Sequence, residues 1–235
     1  MEVRNGLGRA PEQYRLAERK LGLIWKAEAA QVISILCWLA LILMIALQAW
    51  GTWVLSFGLL GALVFAEGIA LVVCYVLYLV GLFGLRPLEP GYRTAFGCEI
   101  ARLVVVIFSV LPQWSGLEKE LGLVESVLSL AAVCFFLQAT GRLLAEIGRE
   151  KLRRRGRLVL CLYAVNCVIG VLVDFLCPEG EQLAEQWGLL ILCIALLILS
   201  LVPVFLYLDH LKRSAKAFQE AGEERPEGEE DMGLS

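Results

Sequence analysis

Three carboxylates interrupt long apolar stretches of this sequence, and ionisable groups in such places are the best candidates for chemistry. They are Glu67, Glu125 and Asp174, and Asn166 precedes the last of them on the same helical face. Ionisable side chains are costly inside a membrane and therefore indicate ion or proton sites. The spacing predicts an outward-facing polar site for a cation or proton. The alternative is that each acid reaches water or a neighbouring hydroxyl separately at the membrane boundary.

A second candidate is an intramembrane ion pair. Glu99 and Arg102 are three residues apart, so they lie on one face of a helix and can pair along it. Such a pair lowers the cost of burying both groups. The alternative interpretation is a gate, or a site for a lipid head group, in the inner half of the membrane.

Small residues recur at every fourth position of the second apolar run. This predicted helix-packing ridge consists of Gly58, Ala62, Ala66, Ala70 and Cys74. Small side chains let two helices approach closely in a membrane. The ridge is typical of packing inside a bundle, and a dimer or substrate surface is the alternative.

The sequence lacks the residues that several types of reaction require. Intramembrane zinc proteases and rhomboid-type serine proteases need a histidine within the membrane, as a ligand or as a base. The only histidine is His210, which we expect to be an interfacial cation favoured by the dipole at the end of the last helix. No phosphate-binding loop or paired cysteine motif is present either. The sequence thus predicts a non-enzymatic protein with no catalytic residue, cofactor or metal site.

The composition indicates a membrane protein. Of 235 residues, 59% are hydrophobic and 19% are charged, and the mean hydropathy is +0.72. Soluble domains are about 45–50% apolar and about 25% charged. The net charge of −3 excludes a strongly basic nucleic-acid binder, so no nucleic-acid partner is expected.

The apolar runs predict an all-α, polytopic transmembrane helical bundle of about six spans, because each run has about the 20 residues that a spanning helix needs. The runs cover about 30–49, 55–84, 95–113, 121–143, 158–177 and 188–208. Charged residues interrupt the third and fourth runs. These two runs therefore form either full spans or a hairpin that enters and leaves the membrane on the same side.

The basic residues predict the orientation. If both termini are cytoplasmic, every one of the 21 Lys and Arg residues lies on the cytoplasmic side except Arg102 and Lys119. Cytoplasmic loops are enriched in these residues. The pattern predicts a multi-pass membrane protein with both termini cytoplasmic, whose partners are the lipid bilayer and, at the inner face, anionic lipids.

The two ends of the chain differ from the spans between them. Residues 1–29 are expected to form a cytoplasmic segment, either an amphipathic helix on the inner leaflet or a solvated extension of the first span. Residues 30–210 are the predicted six-helix transmembrane domain. Residues 211–235 are rich in acids, which predicts a disordered cytoplasmic tail.

Three stretches resemble a loose set of small, uncharacterised multi-pass membrane proteins of Gram-positive bacteria. They are YVLYLVGLFGLRPLEPGYRTAF over Tyr75–Phe96, QATGRLLAEIG over Gln138–Gly148 and YLDHLKRSAKAF over Tyr207–Phe218. The resemblance implies a helical bundle in a bacterial plasma membrane. It implies no activity, because none is established for that set.

Two functional hypotheses follow from the sequence. The first is a protein that works through interactions, as a sensor, accessory subunit or envelope component, with a membrane-protein partner or a second copy of the chain. The second is a small cation- or proton-coupled transporter or channel that uses the three outer acids.

Overall fold

The computed structural model describes residues 10–49, 57–111, 113, 116–176 and 187–223. These residues form six α-helices and no strand, which confirms the predicted all-α class. The helices are α1 (Pro11–Ala49), α2 (Phe57–Leu85), α3 (Pro90–Ser109), α4 (Glu118–Glu146), α5 (Glu150–Leu176) and α6 (Trp187–Glu223).

Four helical segments are long and apolar enough to cross a membrane, counted within the described residues. They are Pro11–Trp38, Gly61–Leu85, Lys119–Glu146 and Glu150–Leu172. These segments belong to α1, α2, α4 and α5. The membrane character predicted from the composition is confirmed at this level.

The six helices pack in a ring. Each helix from α1 to α5 contacts the next one along the chain, and α6 contacts both α5 and α1, so that the ring closes. Short turns join α2 to α3 and α4 to α5, which makes these neighbours antiparallel. Gly148 lies in the turn between α4 and α5 and has a φ of 73°. Glycine suits this left-handed conformation, because it has no Cβ. The N–H of Gly148 and that of Arg149 bond back to the last carbonyls of α4.

One end of the ring gathers the N-terminal half of α1, the two short turns and the C-terminal half of α6. We call it the basic end, because most of the described Lys and Arg residues lie there. Among the residues whose burial the structure describes, the buried core lies mostly toward this end. It includes Tyr14, Leu21, Ile24, Leu82, Leu85, Tyr92, Phe136, Leu143, Leu144, Leu211 and Phe218. Toward the other end many apolar side chains, such as Phe65 and Val72, are exposed.

A close approach of two backbones holds α1 against α2 in this core. A Cβ added at Gly81 would lie 2.6 Å from Cγ1 of Ile24 and 3.3 Å from the carbonyl oxygen of Lys20. Glycine therefore lets the helices meet at a distance that no larger residue allows without a shift.

The last helix is longer than the sequence predicts. Residues 211–223, expected to belong to a disordered tail, instead continue α6 as far as Glu223, so that expectation is wrong for this segment. The reason is an apolar face: Leu211 and Phe218 are fully buried, and the Phe218 ring stacks on Tyr14 of α1 at 6.3 Å between centroids. The rest of the predicted tail, 224–235, lies outside the described residues.

The first helix is continuous from Pro11 to Ala49. Residues 11–29 therefore form a helical extension of the first apolar run, but one side of it packs against the bundle, so it is not the solvated extension expected. Tyr14, Leu21 and Ile24 of this extension are buried against the bundle. Residues 1–9 lie outside the described ranges.

Candidate functional site: a polar cavity inside the helix ring

A cavity of about 210 Å³ lies inside the ring, and all six helices line it. The lining residues are Glu28, Gln31, Val32 and Ile35 of α1, Tyr75 and Tyr78 of α2, Glu99 and Arg102 of α3, Ser129 and Val133 of α4, Tyr163 of α5, and Val204 and Tyr207 of α6. Most of these side chains are polar. This is unusual among helices whose remaining surfaces are largely apolar.

The cavity lies where the tightly packed core ends. On α1 the main buried cluster extends to Ala27, the lining begins at Glu28, and Val32 of the lining is itself buried. On α6 the core residue Tyr207 forms one wall of the cavity. Tyr163 lies at the middle of α5, about 20 Å from either helix end at 1.5 Å per residue. The site is therefore near mid-height, with the core forming its floor on the side of the basic end.

Glu99 is the most deeply buried charged group of the site, with 2% of its surface exposed. The Tyr75 hydroxyl donates to Oε2 at 3.2 Å, and the Tyr78 hydroxyl donates to Oε1 at 3.4 Å. Nη1 of Arg102 lies 3.3 Å from Oε2. A buried carboxylate requires such partners, since an isolated charge in a low-dielectric interior is very costly.

Arg102 contacts a second acid and an aromatic ring as well as Glu99. Its Nε lies 3.7 Å from Oε1 of Glu125 on α4, and its guanidinium carbon lies 5.5 Å from the centroid of the Tyr75 ring. Two carboxylates thus lie within ion-pair distance of the guanidinium, although its buried Nε makes no hydrogen bond within the described residues. The ring contact is a cation–π interaction.

Glu28 differs from Glu99. It is half-buried and lines the cavity next to Gln31. No hydrogen bond or ion pair joins its carboxyl group to any residue within the described ranges. It is therefore the carboxyl group of the site with room for a partner from outside the chain.

Four tyrosines line the cavity from three sides. Tyr75 and Tyr78 belong to α2, Tyr163 to α5 and Tyr207 to α6. The Tyr163 hydroxyl lies 3.2 Å from Oγ of Ser129, which links α5 to α4 across the site. Reasoning from sequence overlooks these tyrosines, because single aromatic residues in apolar runs are typical of packing.

The structure brings together some of the sequence-predicted site residues. Glu99 and Arg102 form the predicted ion pair, and Glu125 joins them at the rim of the cavity. Glu67 instead accepts a hydrogen bond from the hydroxyl of Ser34 on α1.

The other two residues of the predicted polar site lie on α5. Asn166 is half-buried one turn beyond Tyr163 and does not line the cavity. Asp174 lies near the end of α5, and its side chain falls outside the described part of the structure.

The predicted packing ridge lies largely on the surface of the single chain. Ala62, Ala66 and Ala70 are exposed, and Cys74 is buried. Gly58 lies in the first turn of α2. The buried end of the ridge contributes to the ring, and its exposed part leaves space for another helix.

His210 lies in the core, where the sequence predicts an interfacial cation, and the prediction is wrong. The side chain is fully buried, and a Cβ at Gly156 of α5 would lie 2.9 Å from Nε2. Neither ring nitrogen has a hydrogen-bond partner among the residues that the structure describes. Burial and the nearby Arg155 together lower the pKa of His210 from 6.5 to about 4, and Asp209 partly opposes them. A neutral imidazole fits this position, because a buried cation would lose its hydration.

Ion pairs join the helices at the basic end. Arg149, in the turn just before α5, contacts Glu220 of α6 at 2.5 Å, and Arg155 of α5 pairs with Asp209 of α6. A groove of about 660 Å³ lies between these helices and is lined by both basic and acidic residues. The predicted binding of anionic lipid at the inner face stays a prediction.

Comparisons of the chain with protein-family models, with curated proteins and with solved structures give no match. The cavity is therefore the feature from which a function can be argued.

Proposed function

We propose that the chain is a multi-pass plasma-membrane protein with six spans and cytoplasmic termini, and that it transports a small polar solute through its central cavity. The N-terminal half of α1 and the C-terminal half of α6 lie together at the basic end. The positive-inside tendency favours the cytoplasm for that end. α3 has 20 residues and is about 30 Å long, which is enough to cross the hydrocarbon layer.

The observation that carries the proposal is a cavity with charged walls at mid-height in the ring. Glu28, Glu99 and Arg102 come from two helices and lie deep among apolar segments. Ionisable groups at this depth are expensive, and they characteristically line substrate and ion pathways. A pair that served only to join α3 to its neighbours would not need an open space beside it.

Within the described residues, the buried core closes the cavity toward the basic end. With the proposed orientation, a solute enters the cavity from the outer side. Transport then requires the contacts around Tyr78 and Tyr207 to separate while the outer helix ends close.

A panel of small solutes tests this proposal. We expect one class among organic cations, organic anions, zwitterions and polyols to raise the Tm of the purified protein in detergent. Saturation to one hundred times Kd stabilises a protein by about 2.7 kcal/mol. The same class should enter proteoliposomes that contain the protein.

A variant that fills the cavity tests whether the solute binds there. Ser129→Phe places a large ring in the space that Ser129 lines, and it should abolish both the shift in Tm and the uptake. If no class of solute shifts the Tm of the unmodified protein, or if Ser129→Phe leaves the shift unchanged, the cavity is not a solute site.

A second candidate function is lateral association in the membrane, which the exposed part of the ridge favours. Ala62, Ala66 and Ala70 present a row of small side chains on α2 that no described helix of the same chain covers. Such rows allow close helix contact between membrane proteins. The partner that can be tested directly at this surface is a second copy of the chain.

We expect Ala66→Leu to weaken association between two labelled copies in liposomes, measured by energy transfer at decreasing protein-to-lipid ratios. The larger side chain separates helices that would otherwise touch. Val168→Leu on the exposed face of α5 is the control and should leave energy transfer unchanged. A chain that stays monomeric at every ratio rules out self-association as its function.

A further inference from the structure

The geometry points to a small organic monocation, an ammonium compound with methyl or short alkyl substituents, as the ligand of the central cavity. This inference rests on the proposed function, because it names the class of solute that the same cavity takes. It follows from the balance of charge in the walls, from the tyrosine rings and from the volume.

The charge of the walls favours a cation. Arg102 already has two carboxylates, with Glu99 at 3.3 Å and Glu125 at 3.7 Å. Glu28, by contrast, forms no ion pair or hydrogen bond within the described residues, and Arg102 acts on it only at longer range. A bound monocation beside Glu28 gives it the counter-charge that the chain does not provide.

The tyrosines provide a second attraction for the same class of ligand. The rings of Tyr75, Tyr78, Tyr163 and Tyr207 border the cavity. Aromatic faces attract organic cations through the ring quadrupole, and cages of several rings bind alkylated ammonium groups in this way. The guanidinium of Arg102, 5.5 Å from the Tyr75 centroid, already makes such a contact here.

Other classes of ligand fit less well. An organic anion would have to displace Glu99 or Glu125 from Arg102 and would also lie near Glu28. A bare metal ion needs several oxygen ligands at 2.0–2.6 Å or so, whereas aromatic faces form much of this wall. An organic cation uses both the carboxyl group and the rings.

The volume limits the size of the ligand. An apolar cavity of roughly 150 Å³ holds a six-carbon ring in another protein. By proportion, a cavity of about 210 Å³ accommodates about eight non-hydrogen atoms. Choline, with seven, is a suitable probe.

The first test compares three probes of similar shape and different charge. These are choline, its uncharged isostere 3,3-dimethylbutan-1-ol, and the anion pivalate, each added at pH 8 with ionic strength matched by sodium chloride. We expect choline alone to raise the Tm of the unmodified protein. No variant is needed, so the result does not depend on how a substitution folds.

The second test locates the binding site with radiolabelled choline. Glu28→Gln removes the charge and should weaken binding by at least about tenfold. Tyr163→Phe keeps the ring and should bind normally, whereas Tyr163→Leu should weaken binding by about two- to thirtyfold. Glu120→Gln changes an exposed acid outside the cavity and serves as the control.

The outcomes separate this inference from the proposed function. If pivalate or the uncharged isostere raises the Tm and choline does not, the ligand class is wrong while a solute site remains. If choline binds equally to the unmodified protein, to Glu28→Gln and to Tyr163→Leu, it binds outside the cavity and the inference fails. If no solute class shifts the Tm at all, the proposed function fails with it.

Discussion

Replacing Arg102 by methionine should lower the free energy of unfolding by about 3–5 kcal/mol, the largest effect that we expect of any single substitution in the site. Methionine retains most of the length of the side chain but removes the guanidinium. Glu99, which is 2% exposed, then keeps two tyrosine hydroxyls as partners and loses its cation. Removing one partner of a buried ion pair destabilises a protein by far more than the intact pair stabilises it, because the remaining charge is buried without its counter-charge.

The partner substitution should be much milder. Glu99→Gln keeps an oxygen that accepts from Tyr75 or Tyr78, and Arg102 retains Glu125 at 3.7 Å. The double variant Glu99→Gln/Arg102→Met should therefore be more stable than Arg102→Met alone, although it carries one more change. Thermal unfolding of the four proteins in one detergent measures the cycle. Additive losses in the double variant would show that the pair is not coupled.

The helices could be predicted from the sequence because lipid-facing helices carry a strong signal. The apolar run 55–84 agrees with α2 at 57–85, and the run 121–143 lies inside α4 at 118–146. The apolar runs do not predict the N-terminal part of α1, for which the sequence left two arrangements open, or the C-terminal part of α6. At those ends the helices lie beyond the apolar runs, and Tyr14 and Phe218 are buried against each other across α1 and α6.

The candidate site could be predicted only for residues that are close together in the sequence. Glu99 and Arg102 are three residues apart on one helix, so their pairing follows from helix geometry alone. Glu28 lies in a segment that the composition assigns to the cytoplasmic end of the chain. Its place beside α3 depends on how the ring closes, and no spacing within one helix contains that information. The positions of Tyr163 and Tyr207 in the cavity wall could not be predicted for the same reason.

The same limit explains His210, whose position leads to the second large prediction. From sequence, a histidine beside Asp209 and Lys212 at the end of a helix is expected to carry a charge. In the ring, Gly156 lets α5 approach so closely that the imidazole is enclosed, and burial lowers its pKa to about 4. The usual value of 6.5 applies once the chain unfolds.

Lowering the pH should therefore destabilise the protein between about pH 6.5 and pH 4. In this window the unfolded chain binds a proton at His210 and the folded chain does not, so each step down in pH favours unfolding. Above the unfolded pKa both states are neutral, and the full contribution to stability is present. The difference between the two pKa values corresponds to a loss of about 3 kcal/mol across the window.

His210→Leu is the substitution that isolates this effect from the titration of the carboxyl groups. Leucine has a similar volume, cannot take up a proton, and removes two ring nitrogens that have no hydrogen-bond partner in the described core. At pH 7.5 the variant should be at least as stable as the parent, because no hydrogen bond is lost. The gap in Tm between the two proteins should then widen as the pH falls to 4.5. If the two curves of Tm against pH are parallel, His210 takes up its proton in the folded state as readily as in the unfolded chain. The conclusion that the buried imidazole stays neutral would then be wrong.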